Sequence, residues 1–200
     1  VGSEMCIRDS IMIDKMVGKT EVALYGLAYS IGMLVQLFIS GMNSALTPWM
    51  YSKIKKGDIR SMRKVLQLLS IVVVGIAVAL MLISPELVLI FGSPKYREAV
   101  YVIPPVAASV FFIFIYNILS MPQFYYEKTQ FLMAASMAAA GANVVLNFIF
   151  IRLFGYIAAG YTTLACYMLY SVGHYIVSKR ILAVSYTHLR AHETGAYLVC

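Results

Sequence analysis

The sequence predicts an all-α integral membrane protein with about five transmembrane helices. Three observations predict it. Five stretches, Val22–Ser52, Val65–Pro85, Ala99–Tyr126, Thr129–Ile151 and Leu153–Ser178, contain no Asp, Glu, Lys or Arg. Each has about 20 residues or more, the length a helix needs to cross roughly 30 Å of hydrocarbon. The chain is 61% hydrophobic and only 12% charged, too little polar surface for a soluble bundle of helices with wet faces. Finally, the charges fall in short clusters between the apolar runs.

The two ends differ from the middle. VGSEMCIRDS (1–10) and VSYTHLRAHETGAYLVC (184–200) are mixed in polarity and show no helical period. They resemble translated sequencing-adapter read-through, which is set aside before a fold is read. The expected organisation is therefore a non-native segment over 1–10, a transmembrane unit over 11–183 and a second non-native segment over 184–200. The unit itself is expected to be a fragment of a longer protein. Within it only Cys166 and His174 remain of the cysteines and histidines. That leaves no disulfide framework and no metal-ligand spacing, and Cys166 reads as a small buried hydrophobe.

The first run opens after Gly18-Lys19-Thr20-Glu21, where Thr20 is the expected N-cap and Glu21 suits the positive helix end. It carries Tyr25, Tyr29, Gln36 and Asn43. Pro48 is expected to break or kink it, and Trp49 and Tyr51 sit where an interfacial aromatic belt belongs. The second run is rich in Val, Ile and Leu, reads as mostly lipid-facing, and ends at Gly92-Ser93-Pro94. The third begins near Tyr101, with Pro104-Pro105 in a first turn, where missing amides cost little. It contains Asn117. The fourth holds the small-residue stretch Ala134–Ala142, suited to close helix approach in lipid, then Asn143 and Asn147 on one face. The fifth opens with Ala158, Ala159 and Gly160 and continues through Thr162, Thr163, Tyr167, Tyr170 and His174.

The basic residues orient the bundle. The loop Tyr51–Lys64, Lys128 and the pair Lys179-Arg180 hold nine Lys and Arg on one side, against five on the other. By the positive-inside rule the loop 51–64 and the end after 178 are cytoplasmic. The expected location is a bacterial cytoplasmic (inner) membrane, crossed several times. The basic loop reads as a topology anchor against anionic lipid rather than a nucleic-acid site, since little aromatic surface is placed to stack bases.

No acid lies at the centre of a run. No nucleophile–base pair, phosphate loop or metal cluster is present, so an enzyme is not expected and no cofactor is implied. What remains is a set of uncharged hydrogen-bonding groups: Tyr25, Tyr29, Gln36, Asn43, Asn117, Asn143, Asn147, Tyr170 and His174. Two readings stay open for them. They are interhelical glue, at roughly 0.6–2 kcal/mol per bond, or they line a wet cavity whose amides and phenols suit a sugar-bearing head group. His174 is either a cation for a phosphate or an interfacial residue.

Four stretches carry a family resemblance: IMIDKMVGKTEVALYGLAYSIGM (11–33), ALTPWMYSKIKKGD (45–58), FGSPKYREAVYVIPPVAAS (91–109) and RLFGYIAAGYTT (152–163). Together they resemble the Wzx-like oligosaccharide repeat-unit flippases of the multidrug/oligosaccharidyl-lipid/polysaccharide exporter superfamily. The resemblance implies two six-helix lobes around a central cavity. Residues 11–17 would end helix seven, and the five runs would be helices eight to twelve, the carboxy-terminal lobe. It implies export of a polyprenyl-pyrophosphate-linked oligosaccharide by alternating access. The implied partners are that substrate, membrane lipids, an amino-terminal lobe of the same chain and glycan polymerase or assembly proteins, with no nucleic acid. The competing readings are a multidrug or toxic-compound antiporter, a peptidoglycan-precursor lipid flippase and, from another class, a structural membrane subunit that transports nothing.

Overall fold

The computed structural model describes the backbone of residues 2–196 and the side chains of residues 4–182. Six helices follow one another: α1 (Gly2–Met16), α2 (Lys19–Lys56), α3 (Ile59–Phe91), α4 (Ile103–Tyr125), α5 (Thr129–Phe154) and α6 (Ile157–Ala196). A 3-10 segment, Pro94–Tyr101, joins α3 to α4. Among the described residues no strand occurs, and α2 to α5 are each long and apolar enough to cross a membrane. The fifth uncharged run lies in α5's last turn and α6.

The layout follows from which faces are apolar and which are small. α4 is the central helix, packing against α2, α3, α5 and α6. Its partners come close where side chains are short. Ala159 is fully buried on α6, and a Cβ on Gly160 would sit 3.0 Å from Pro105 of α4. α3 is peripheral. It buries Met62, Val73, Ala77, Leu80, Ser84 and Val88, a single stripe at spacings of mostly three or four. Leu68, Ile71, Val78, Leu82 and Ile90 point outward, as a lipid-facing helix requires. The stretch Ala134–Ala142 contributes less than its composition suggests. Ala139 is buried, whereas Ala134, Ala138 and Gly141 are exposed, because small residues circle the helix and only one face meets α6.

Several local expectations change. Gly18, not Thr20, occupies the N-cap of α2, with no side-chain cap, and Thr20 lies one residue inside the helix. Pro48 does not end α2, which continues to Lys56. At 38 residues it is about 57 Å long, far more than a bilayer needs. The terminal segments belong to helices as well: α1 runs unbroken across residue 10, and α6 continues to Ala196. Continuing an existing helix costs little, so neither segment needs its own apolar period to be helical.

The turn between α2 and α3 shows what stops a helix of that length. Gly57 adopts the left-handed conformation, φ +66°, which a side chain would disfavour. Its amide donates to Ile54 O, and the Asp58 amide donates to Lys53 O, a Schellman closure. Asp58 then caps α3 by accepting from the Ser61 amide at 3.2 Å, and Lys53 Nζ lies 2.6 Å from its carboxylate. Donation from Lys53 and Ser61 holds the Asp58 carboxyl at about 2, below its ordinary 3.8. Because the folded value is the lower one, the cap stabilises the turn above 3.8 and is lost as pH falls through about 2. Protection of the Ser61 amide, measured against its intrinsic exchange rate, should therefore fall over that acidic window, and Asp58→Asn should remove that pH-dependent fall.

Candidate functional site

The polar residues of the helices gather in three places. In the first, the Asp9 carboxylate of α1 is fully buried between α2, α5 and α6. Its Oδ2 accepts from Tyr25 Oη at 2.6 Å and from Thr163 Oγ1 at 2.7 Å. Its Oδ1 accepts from Asn147 Nδ2 at 2.6 Å. A second tier holds these donors: Asn143 Nδ2 donates to Thr163 Oγ1 at 3.1 Å, and the Thr162 hydroxyl donates to Asn147 Oδ1. Tyr29 stacks on Tyr25 with ring centroids 6.0 Å apart. Among the described residues no cation forms an ion pair with Asp9. Its charge is held by three hydrogen bonds, which are the strong, charge-assisted kind. A carboxylate offers about four lone-pair sites, so three donors nearly saturate it.

The second place is a cavity of about 500 Å³ between α2 and α4. α2 contributes Gln36, Asn43 and Thr47, and α4 contributes Tyr116, Asn117 and Ser120. Several of these groups spend their protons on their own helix. Asn117 Nδ2 donates to Ile113 O, Thr47 to Asn43 O and Ser120 to Asn117 O, each at 2.8 Å. Their acceptor capacity therefore stays available to the cavity, and Asn43 Oδ1 has no hydrogen-bond partner.

The third place lies on the other side of α4, where a space of about 590 Å³ shares Tyr116, Asn117, Ser120 and Phe124 with the first cavity. Tyr170 borders it, its hydroxyl 2.7 Å from Ser136 Oγ. His174 does not line either space. It is 1% exposed, packed edge-on to Tyr170, with Nδ1 2.9 Å from Gln123 Nε2. So buried, it is neither an interfacial histidine nor a cation presented to a phosphate.

The nine groups singled out from sequence thus divide. Tyr25, Asn143 and Asn147 converge on Asp9, with Tyr29 beside them. Gln36, Asn43 and Asn117 line the cavity, and Tyr170 and His174 stand apart. Asp9 lies in the stretch 1–10 that the sequence reading sets aside, and it is the only carboxylate among the described residues that the bundle fully buries. Sequence reasoning passed over Thr162 and Thr163, although they sit on a helix facing an i, i+4 pair of asparagines. It also passed over Ser40 and Thr47, which share a stripe on α2 with the Gln36 and Asn43 it did single out. No group of three or more His, Cys, Asp or Glu able to hold a metal occurs among the described residues.

Comparison with known proteins gives the setting of the buried acid and the polar cavity. Residues 5–149 match the family model MatE. The chain belongs to the MatE family. The match takes in α1 from Met5 through most of α5, so it includes the helices that supply Asp9, Tyr25, Asn143 and Asn147. The MatE chain is also 31% identical over 130 residues to an uncharacterized membrane protein of Haemophilus influenzae. The alignment covers 61% of this chain and 31% of that protein, so the chain spans about a third of its relative's length. No solved structure matches the chain. MatE proteins are membrane exporters rather than enzymes.

Proposed function

We propose that the chain is the carboxy-terminal lobe of a two-lobe exporter that moves a polyprenyl-pyrophosphate-linked oligosaccharide across the bacterial cytoplasmic membrane by alternating access. The observation that carries this reading is the cavity wall of α2 and α4. Its amides, hydroxyls and phenols are uncharged and offer both donors and acceptors, the chemistry that hydroxyl-rich head groups need. The polyprenyl tail stays in lipid while the head group crosses between the lobes, which rock against one another. The loop 51–64 faces the cytoplasm on the count of basic residues.

Asp9 is the coupling group in this reading. An ionisable side chain buried within a membrane bundle is costly to maintain, and a change in its charge alters how four helices are tied together. The donors Tyr25, Asn147 and Thr163 lie outside the segment that resembles adapter read-through, and they call for an acceptor at position 9. Sequencing the locus upstream of Ile11 should therefore find an acidic codon at that position, and an apolar one would sink the assignment.

A multidrug or toxic-compound antiporter fits the MatE match equally well, and the buried acid suits cation exchange. A peptidoglycan-precursor flippase uses the same head-group chemistry. Deleting the gene separates the three: loss of surface glycan, loss of drug resistance, or loss of viability. A structural subunit would show none of these. In the intact protein, Asn43→Ala and Asn117→Ala should lower export about tenfold or more at unchanged protein level, since each removes roughly 1.4 kcal/mol or more of head-group binding. If the protein disappears instead, those residues are packing.

A further inference from the structure

α3 and α6 both pack on α4, and at the end next to loop 51–64 they leave a groove between them, a space of about 590 Å³. That is within the roughly 300–1,000 Å³ of sites that hold one small molecule. Leu182 is the α6 side chain that borders it, and α3 supplies the rest of the wall. Arg63, Gln67 and Ile71 follow one another at four-residue steps on that wall, so each stands about 6 Å deeper along α3 than the last. The order is a cation, then an amide, then hydrocarbon, with Leu66 and Leu182 widening the apolar part. Ser70 adds no free donor, because its hydroxyl donates to Leu66 O at 2.7 Å. Arg63 is exposed and, among the described residues, makes no ion pair. Arg60 and Lys64 are exposed beside it. The one acid of the loop, Asp58, is already held by Lys53 at 2.6 Å and leaves these cations unneutralised.

We propose that this groove binds one anionic glycerophospholipid from the leaflet that faces loop 51–64. Such a lipid presents matching groups in the same order: a phosphate at the surface, esters below it, and acyl chains below those. Arg63 donates to the phosphate through its planar guanidinium, which suits a pair of phosphate oxygens. The Gln67 amide, exposed one turn deeper, donates to an ester carbonyl. One chain lies along Leu66, Ile71 and Leu182. Charge decides the class of lipid. A zwitterionic head group brings an ammonium to a rim of Arg60, Arg63 and Lys64 and to a wall with no carboxylate, whereas an anionic head group meets only attraction. Basic pockets between membrane helices bind anionic head groups for the same reason. The lipid then bridges the peripheral α3 to α6, which otherwise meet through α4. This is a single site rather than the diffuse attraction of a basic loop for a charged surface, and it holds whichever substrate the bundle exports.

The test is native mass spectrometry of the intact protein, released from detergent micelles with phosphatidylglycerol or phosphatidylcholine of identical chains. One phosphatidylglycerol should bind about tenfold more tightly than phosphatidylcholine, and Arg63→Gln should remove about that factor. Lys55→Gln removes the same charge from the last turn of α2, outside the groove, and should change the affinity about twofold or less. Ser70→Trp fills the groove with Arg63 in place and should abolish the tight site; Leu182→Trp does so from α6 if Ser70→Trp does not fold. Equal losses in Arg63→Gln and Lys55→Gln would reduce the site to diffuse attraction and overturn the proposal. So would equal binding of the two lipids, retention of the lipid in both tryptophan variants, or glycerol phosphate binding as tightly without chains. A second copy or another segment of the protein seated in the groove would leave no lipid bound, and that result overturns it too.

Discussion

Asp9→Asn in the intact exporter is expected to abolish coupled transport while the protein accumulates normally. The substitution preserves size and one acceptor oxygen, and the Tyr25 and Thr163 hydroxyls can each rotate to accept from the new amide. The ionisable charge is what disappears. Asp9→Ala differs: it leaves the Tyr25, Thr163 and Asn147 donors buried without an acceptor, at about 1–3 kcal/mol each. That variant should lose both activity and folded protein. Uptake into proteoliposomes driven by an imposed ion gradient, normalised to protein level, separates the two effects. Full transport by Asp9→Asn would show that the carboxylate is only a strut.

The second large effect concerns the close approach of α2 to a side chain of α4. A Cβ built on Gly32 of α2 would lie 2.5 Å from Val106 Cγ1 on α4. Valine in a helix has one strongly preferred rotamer, so it cannot swing clear. Gly32→Ala must push α2 from α4 and should destabilise the bundle by about 1–3 kcal/mol, the usual cost of overpacking. Pairing it with Val106→Ala removes the obstructing methyls and should restore most of the loss. Thermal unfolding in detergent micelles reads both. The double variant is also the control for any functional defect of the single one.

Much of the bundle was legible in the sequence. Uncharged runs of spanning length have no other stable home, and α2 to α5 fall on them with ends shifted by six residues or fewer, while α6 continues well past its run to Ala196. The lipid-facing character of α3 also followed from its unbroken Val, Ile and Leu. Helix ends were less readable, because Thr20 and Gly18 are both competent caps and Pro48 can sit in a helix whose other residues hold it. The site was half legible. Asn143 and Asn147 announced themselves by spacing, but nothing local ties them to Tyr25 or to Thr163. Those groups meet only through tertiary packing, and the carboxylate they surround lies in a stretch whose composition gave no sign of a buried helix.

The Asp9 cluster also sets the order in which the protein can be completed. Asp9 and Thr163 are 154 residues apart, and Asn147 is 138 from Asp9. At a synthesis rate of about 5–20 residues per second, α1 waits roughly 8–30 s before its last hydrogen-bond donor exists. Over that interval the carboxylate has Tyr25 as its early companion, and it must stay near the head groups, near the translocation machinery, or neutral. α1 is locked in place by a helix made more than a hundred residues later, α6. Chains stopped before α6 should therefore leave α1 loosely inserted and open to membrane quality-control proteases.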